Sequence, residues 1–387
     1  MLLHEARVVG DASQWVHYLR TLPTERDLRQ ALPAFFDESL IAELEPSELA
    51  ADIRRYQAHL RASFALVRER VFARFPAVFP PAKCNFDAYR WAHLVLDTRA
   101  TWWGGEVHLL PMRDFVNTRE RITTDRDDRV WGVRSAVEDV VPLPTPTVET
   151  IEGEEYAVVR SAMRFPTGRQ LFESLDASNH DLFLFHGLAP PRSGEVSPTD
   201  CVRMTFSLDE AAAEAVAEKK GSKRGDVGGA VSVDVGVGGG AGSAEEGDAA
   251  QRDELAAKFV AAAKMQQLRS IGIFAKRRTF CIRPGAPAPS LLTFLRVVYD
   301  IGATDTSGAL RKLVELCRKR VALYPTTVAE DRAELERLSW GNRRFGVVRF
   351  RMKEKAMLQN AIQSLVEIIH DVEQSALMDG LIKEMAS

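Results

Sequence analysis

Between Ser47 and Phe75 the apolar residues Leu49, Ile53, Tyr56, Leu60, Phe64, Val67, Val71 and Phe75 recur at steps of three or four, and Pro76 follows. Such spacing returns to one side of a helix at every turn, so it predicts a long amphipathic helix with a stripe that needs partners. Pro76, without an amide hydrogen, stops it. Two neighbours can supply those partners. Trp15 to Leu22, ended by Pro23, predicts a short helix, and Phe86 to Thr98 carries Phe86, Ala88, Tyr89, Ala92, Val95 and Leu96 at helical spacing. The first hundred residues therefore read as mainly helical.

Beyond them the texture changes. Glu106 to Met112, Glu155 to Met163 and Arg169 to Ser174 read as short strands among Pro and Gly, and Asn179 to Phe185 as a short buried helix with Gly187 available to end it. Ten of the 25 glycines then fall between Gly221 and Ala250. A phosphate loop would use Gly236, Gly238, Gly239 and Gly240, but no Lys-Ser/Thr pair follows and no strand-turn-helix surrounds them, so a flexible insertion over Lys219 to Ala250 is the expectation. Asp253 to Arg269, Ser290 to Ile301, Ser307 to Leu323, Thr327 to Leu338 and Arg351 to Met385 all carry helical periodicity, which predicts an all-α rear lobe.

At 387 residues, with 45% hydrophobic and 27% charged, the chain is long and apolar enough for two or three folded domains. A formal charge of -3 lacks the footprint of a dedicated nucleic-acid binder. The charge is unevenly spread: residues 251–387 hold 23 Lys plus Arg against 15 Asp plus Glu, leaving 28 against 39 for residues 1–250. The basic side reads as solvated helix faces such as Arg311, Lys312, Arg318, Lys319 and Arg320, with docking of an acidic partner as the sharper alternative. Cys84, Cys201, Cys281 and Cys317 form no Cys-x-x-Cys pair, so neither a metal site nor a disulfide framework is expected and the thiols read as reduced. No signal peptide and no membrane span are evident, which places the chain in the cytoplasm, with the nucleus as the alternative. The hydrolase elbow, the zinc-protease helix motif and the dinucleotide fingerprint are all missing from the sequence.

Several segments nevertheless occur in an ordered series. WVHYLRTLP (Trp15 to Pro23), FDAYRWA with DTR (Phe86 to Arg99), LPMRDFVNT (Leu110 to Thr118) and SNHDLFLFHGL (Ser178 to Leu188) are followed by LLTFLRV (Leu291 to Val297), YPTTVAED (Tyr324 to Asp331) and RMKEK (Arg351 to Lys355). In this order they resemble the SET-domain methyltransferases of the Rubisco large-subunit methyltransferase and actin-histidine methyltransferase type, over nearly the whole chain outside the glycine-rich stretch. The resemblance implies an α+β fold: a partial SET domain over 1–205 (helical insert 1–100, SET core 101–205), a linker with the insertion over 206–250, and a helical substrate-binding lobe over 251–387.

It also implies methyl transfer from S-adenosylmethionine to a side-chain nitrogen of a protein substrate docked on the helical lobe, with neither nucleic acid nor membrane as partner. Lysine is expected over histidine as acceptor, since nothing marks a histidine-accepting pocket. By position, Arg99, Asp114, Asn117, Thr118 and Asn179 fall on cofactor-binding sites, with Asp114 organising the turn that presents Asn117. His186 stands where the family has its catalytic Tyr, Thr118 where it has His, and Leu175 at its other active-site Tyr. On this resemblance the given sequence is expected to start within the helical insert, without the N-terminal SET strands and their Gly-x-Gly cofactor loop. A catalytically inactive binding module that keeps the helical lobe is the alternative. Residue by residue, Arg99 also suits a helix C-terminus, Asp114 and Asn117 suit an ordinary turn, and His186 suits a hydrogen-bonded helix end.

Overall fold

A computed structural model describes residues 1–118, 123–124, 146–161, 167–168, 171–173, 175–188, 195–196, 199–214, 216, 242–339 and 341–385. Its contacts gather into two compact units, Met1–Cys201 with Tyr324–Ala356, and Val202–Leu323 with Met357–Ser387. This division does not follow chain order: part of the expected rear lobe, 324–356, clusters with the front residues.

In the first unit, α1 (Leu2–His4), α2 (Val16–Leu19), α3 (Glu25–Ala31) and α4 (Glu38–Ala42) lead into the long α5 (Glu48–Val67). Thr24 and Asp27 close a capping box on α3, and Ser47 caps α5 by accepting from the Leu49 amide at 3.1 Å. The expected stripe is buried at Leu49, Ile53 and Leu60. Each such side chain contributes about 1.5–3 kcal/mol of apolar burial. Past Val67 the phase changes. Residues 68–72 form a π-turn, in which the Ala73 amide donates to the Arg68 carbonyl at 2.9 Å. The wider turn turns Phe72 inward, to 8% exposure, and leaves Val71 and Phe75 exposed, which corrects the simple extension of the stripe.

Opposite α5 lies α6 (Phe86–Arg99), capped by Asn85, whose Oδ1 accepts from the Ala88 amide at 3.0 Å. Trp91 is buried and donates Nε1 to the Pro23 carbonyl at 2.8 Å, which ties α6 to the end of the Trp15–Pro23 segment. Further on stands α7 (Asn179–His186), where Phe183 packs at 5.2 Å between ring centroids on Phe350 from the rear of the chain.

The β structure consists of two-stranded pairs. β1 (Thr101–Trp103) joins β2 (Glu106–His108) through Gly104 and Gly105; β3 (Asn117–Thr118) pairs with β7 (Phe172–Glu173) in parallel; β4 (Thr123–Thr124) meets β8 (Glu195–Val196); β5 (Thr147–Ile151) meets β6 (Glu154–Val158). Strand 155–163 is thus shorter than the sequence suggested, and its partner β5 was not foreseen.

The second unit contains β9 (Val202–Ser207) and β10 (Arg277–Ile282), antiparallel over six residue pairs, with α8 (Gly242–Ser270), α9 (Pro289–Val298) and α10 (Thr306–Ala322). Phe280 lies 5.6 Å from Phe294 between ring centroids in its core. Further along the described residues come α11 (Val328–Arg337) and α12 (Arg343–Met385). The rear lobe is helical apart from β10. The run 217–241 lies outside the described residues, and α8 already begins at Gly242, inside the stretch that composition assigned to the insertion. Cys201 and Cys281 are disulfide-bonded while Cys84 and Cys317 are free, which corrects the expectation of four reduced thiols. Among the described residues no helix is long and apolar enough to cross a membrane, and no cluster of His, Cys, Asp and Glu is arranged to hold a metal.

Candidate active site

Arg99 is the last residue of α6, and the chain returns to it after the β1–β2 hairpin. Its Nη1 donates to the Asp114 carbonyl at 3.2 Å and lies 3.5 Å from Asp114 Oδ2. The Asp114 side chain is fully buried and also accepts the Tyr18 hydroxyl on Oδ2 at 2.9 Å. Burial and the adjacent carboxylate hold the Tyr18 phenol well above its ordinary range, so Tyr18 stays a proton donor. Asp114 Oδ1 is buried with no hydrogen-bond partner. Asp114 therefore fixes one face of the Arg99 guanidinium and ties it to Tyr18.

The turn delivers Asn117 and Thr118 into β3. Parallel pairing sets Asn117 against Phe172 and Thr118 against Glu173, and Arg113 locks the pair with a bidentate ion pair to buried Glu173 at 2.6 and 2.7 Å. Asn117 is exposed; its Oδ1 accepts from the Thr118 amide at 2.9 Å. Among the described residues, Asn117 Nδ2 and Arg99 Nη2 and Nε have no protein partner.

Asn179 is drawn elsewhere. It is the first residue of α7, whose N-cap Ser178 accepts from the Asp181 amide at 3.2 Å. The Asn179 Oδ1 accepts from the Cys201 amide and its own amide donates to Asp200 Oδ1, both at 3.1 Å. The side chain is 1% exposed, and its Nδ2 is buried without a partner. Asn179 thus latches α7 to residues 200–201, and no direct contact joins it to Arg99, Asp114 or Asn117.

His186 closes α7, ahead of Gly187 in the left-handed region at φ 64°. The Gly187 amide donates to Phe183 and the Leu188 amide to Leu182, a Schellman-type stop. A Cβ on Gly187 would stand 2.2 Å from the Ala31 carbonyl oxygen, so only glycine fits. Burial lowers the His186 pKa, opposed by the Asp97 carboxylate. That carboxylate belongs to a network sequence reading missed: it accepts the Tyr56 hydroxyl and lies 3.3 Å from His93 Nδ1, while Tyr56 stacks edge-on against Phe185. The i, i+4 spacing of His93 and Asp97 on a helix was the available signal.

The donor set suits part of S-adenosylmethionine. The guanidinium edge of Arg99 left unpaired and the Asn117 amide match the carboxylate of an amino-acid moiety. Asn179 does not fit a direct role, since its oxygen is already committed.

The fold is similar to that of solved Rubisco large-subunit methyltransferase structures. The family profile described as Rubisco LSMT substrate-binding matches residues 304–358. In solved structures the chain is similar to Rubisco LSMT bound to sinefungin and monomethyllysine, with a TM-score of 0.60 and 19% identity over 96% of this chain and 74% of that one. It is likewise similar to the SET domain of LSMT bound to lysine and AdoHcy (TM-score 0.60, 18% identity, 96% and 75% covered) and to Rubisco LSMT bound to AdoMet (0.57, 18%, 96% and 74%). No curated protein matches it in sequence.

Proposed function

We propose that this chain is an S-adenosylmethionine-dependent protein-lysine N-methyltransferase whose substrate protein docks on the helical lobe. The observation that carries the reading is the Asp114-anchored Arg99, held beside the turn that presents Asn117, in a chain that shares the fold of proteins crystallised with AdoMet and lysine. Bound S-adenosylmethionine would supply an electrophilic sulfonium methyl. Arg99 and Asn117 would hold its carboxylate, while Asp114 and Tyr18 keep the guanidinium from rotating away. His186, neutral at neutral pH because burial lowers its pKa, would accept the proton that a substrate ammonium must lose before its nitrogen can attack. Lysine is the preferred acceptor because a primary ammonium needs such a base.

A second reading, a non-catalytic binding module, is favoured by the replacements at Thr118, Leu175 and His186 and by the commitment of Asn117 Oδ1 to the Thr118 amide. Calorimetric titration with S-adenosylmethionine, followed by transfer of a labelled methyl group to lysine-containing proteins, separates the two. Saturable binding that Arg99→Ala weakens about tenfold or more supports the enzyme, the scale of a lost charge-assisted contact. No binding to the folded chain would establish the second reading.

A further inference from the structure

The π-turn at 68–72 leaves Val71 and Phe75 of the helical stripe 36% and 56% exposed, while Phe72 takes the inner position and stacks on Phe79 at 4.9 Å. Leu66 and Val78, 47% and 44% exposed, flank them in sequence. π-turns of this kind recur at functional sites more than elsewhere. Interleaved with these apolar side chains are Arg61, Arg68, Arg70 and Arg74, all exposed.

Their charge is uncompensated. Residues 61–83 hold Arg61, Arg68, Arg70, Arg74 and Lys83 against Glu69 alone, within a front portion that is otherwise acidic. None of the four arginines has a carboxylate partner among the described residues. Other arginines of the same unit do: exposed Arg29 holds Glu25, and the partly buried Arg54 and Arg90 hold Glu38, Glu45 and Asp87.

We propose that the face spanning Arg61 to Val78 docks a short acidic segment of a partner protein that carries aliphatic side chains between its carboxylates. Guanidinium forks match carboxylates with two parallel hydrogen bonds, whereas a lipid surface would be served as well by lysine, which this face nearly lacks. A long polyanion or a bilayer would also meet the acidic remainder of residues 1–250; a short segment would not. Leu66, Val71, Phe75 and Val78 would bury its aliphatic residues inside the ring of charge. This surface is independent of the methyl-transfer reading.

The test is fluorescence anisotropy of the full chain with a labelled helical peptide of repeating Glu and Leu. The same peptide with Lys for Glu is one control, and vesicles of equimolar phosphatidylcholine and phosphatidylserine are another. The expected result is saturable binding of the acidic peptide only, weakened about tenfold by R70E/R74E and similarly by V71S/F75S, as loss of charge-assisted and apolar contacts dictates. Circular dichroism and melting confirm that the variants fold; if either does not, the milder R70Q and R74Q replace it. Equal binding of both peptides, unchanged affinity in the folded variants, or binding to vesicles without the peptide would overturn the proposal. Dimerisation of the chain itself, abolished by R70E/R74E, would overturn it in favour of a second copy as occupant.

Discussion

The Tyr18 hydroxyl donates to Asp114 Oδ2 at 2.9 Å across 96 positions of sequence, and Arg99 approaches the same oxygen to 3.5 Å. One buried carboxylate thus ties the first helical segment to the end of α6 and to the turn before β3. Removing only the hydroxyl, as in Tyr18→Phe, leaves Asp114 with Arg99 and costs about 0.5–1.5 kcal/mol by urea unfolding. Asp114→Ala leaves Arg99 unsupported, so S-adenosylmethionine affinity should fall about tenfold or more while Arg99 is still present. Affinity unchanged in a folded Asp114→Ala protein would show that Asp114 supports the fold alone.

Gly187 meets a harder constraint. Its φ of 64° is unfavourable for any side chain, and the Cβ of alanine would stand 2.2 Å from the backbone oxygen of Ala31, which cannot swing aside as a side chain could. The strain of the left-handed conformation alone is about 1–2 kcal/mol. Gly187→Ala should therefore destabilise by more than that and displace α7 from α3. A loss below 1 kcal/mol in denaturant midpoint, taken at about 1.4 kcal/mol per tenfold change in the folding constant, would mean that the two elements part freely.

The helical frame was legible because its signals are long. Leu49, Ile53 and Leu60 repeat over several turns, and Gly187 announces a stop. The phase slip after Val67 was not, since a π-turn inserts one extra residue without changing composition. β3 and β7 were equally hidden: two residues each cannot show alternation, and their partners lie far apart in sequence. Of the site, Arg99 and Asp114 do meet, and Asn117 follows on β3. Asn179 instead serves a latch at 200–201, because motif position does not say which neighbour an amide will find. The RMKEK segment read as a signature on a separate lobe, whereas its side chains enter the first unit.

Those side chains build a buried ion network around Asp331, whose side chain is fully buried. Arg351 donates Nε and Nη2 to Asp331 Oδ1 at 3.0 and 2.9 Å, Lys355 Nζ lies 2.6 Å from Oδ2, and the Thr326 hydroxyl adds a bond of 2.7 Å. Asp331→Ala would leave buried Lys355 without a carboxylate and Arg351 with Glu43 and Glu334 only, and breaking such a buried pair costs about 3–5 kcal/mol. Asp331→Asn keeps the shape and retains part of the hydrogen bonding, so it should lose less. Chemical denaturation that ranks Asn at or below Ala would refute the electrostatic origin of the effect.

His93 and His186 titrate in opposite directions, and the sign of each can be read separately. The Asp97 carboxylate raises His93 above its ordinary 6.5, so the stability it contributes is complete below 6.5 and is lost as pH rises through the raised folded value. Burial lowers His186 below 6.5, so its native environment penalises the cation: stability is complete above 6.5 and falls as pH drops through the lowered folded value. Urea unfolding of wild type, His93→Gln and His186→Gln at pH values either side of 6.5 resolves the two. The difference between wild type and His93→Gln should shrink toward alkaline pH, and the difference for His186→Gln should move against wild type toward acid. If both differences are flat with pH, Asp97 does not hold His93 as an ion pair and His186 is not desolvated, and the neutral base proposed for methyl transfer loses its physical ground.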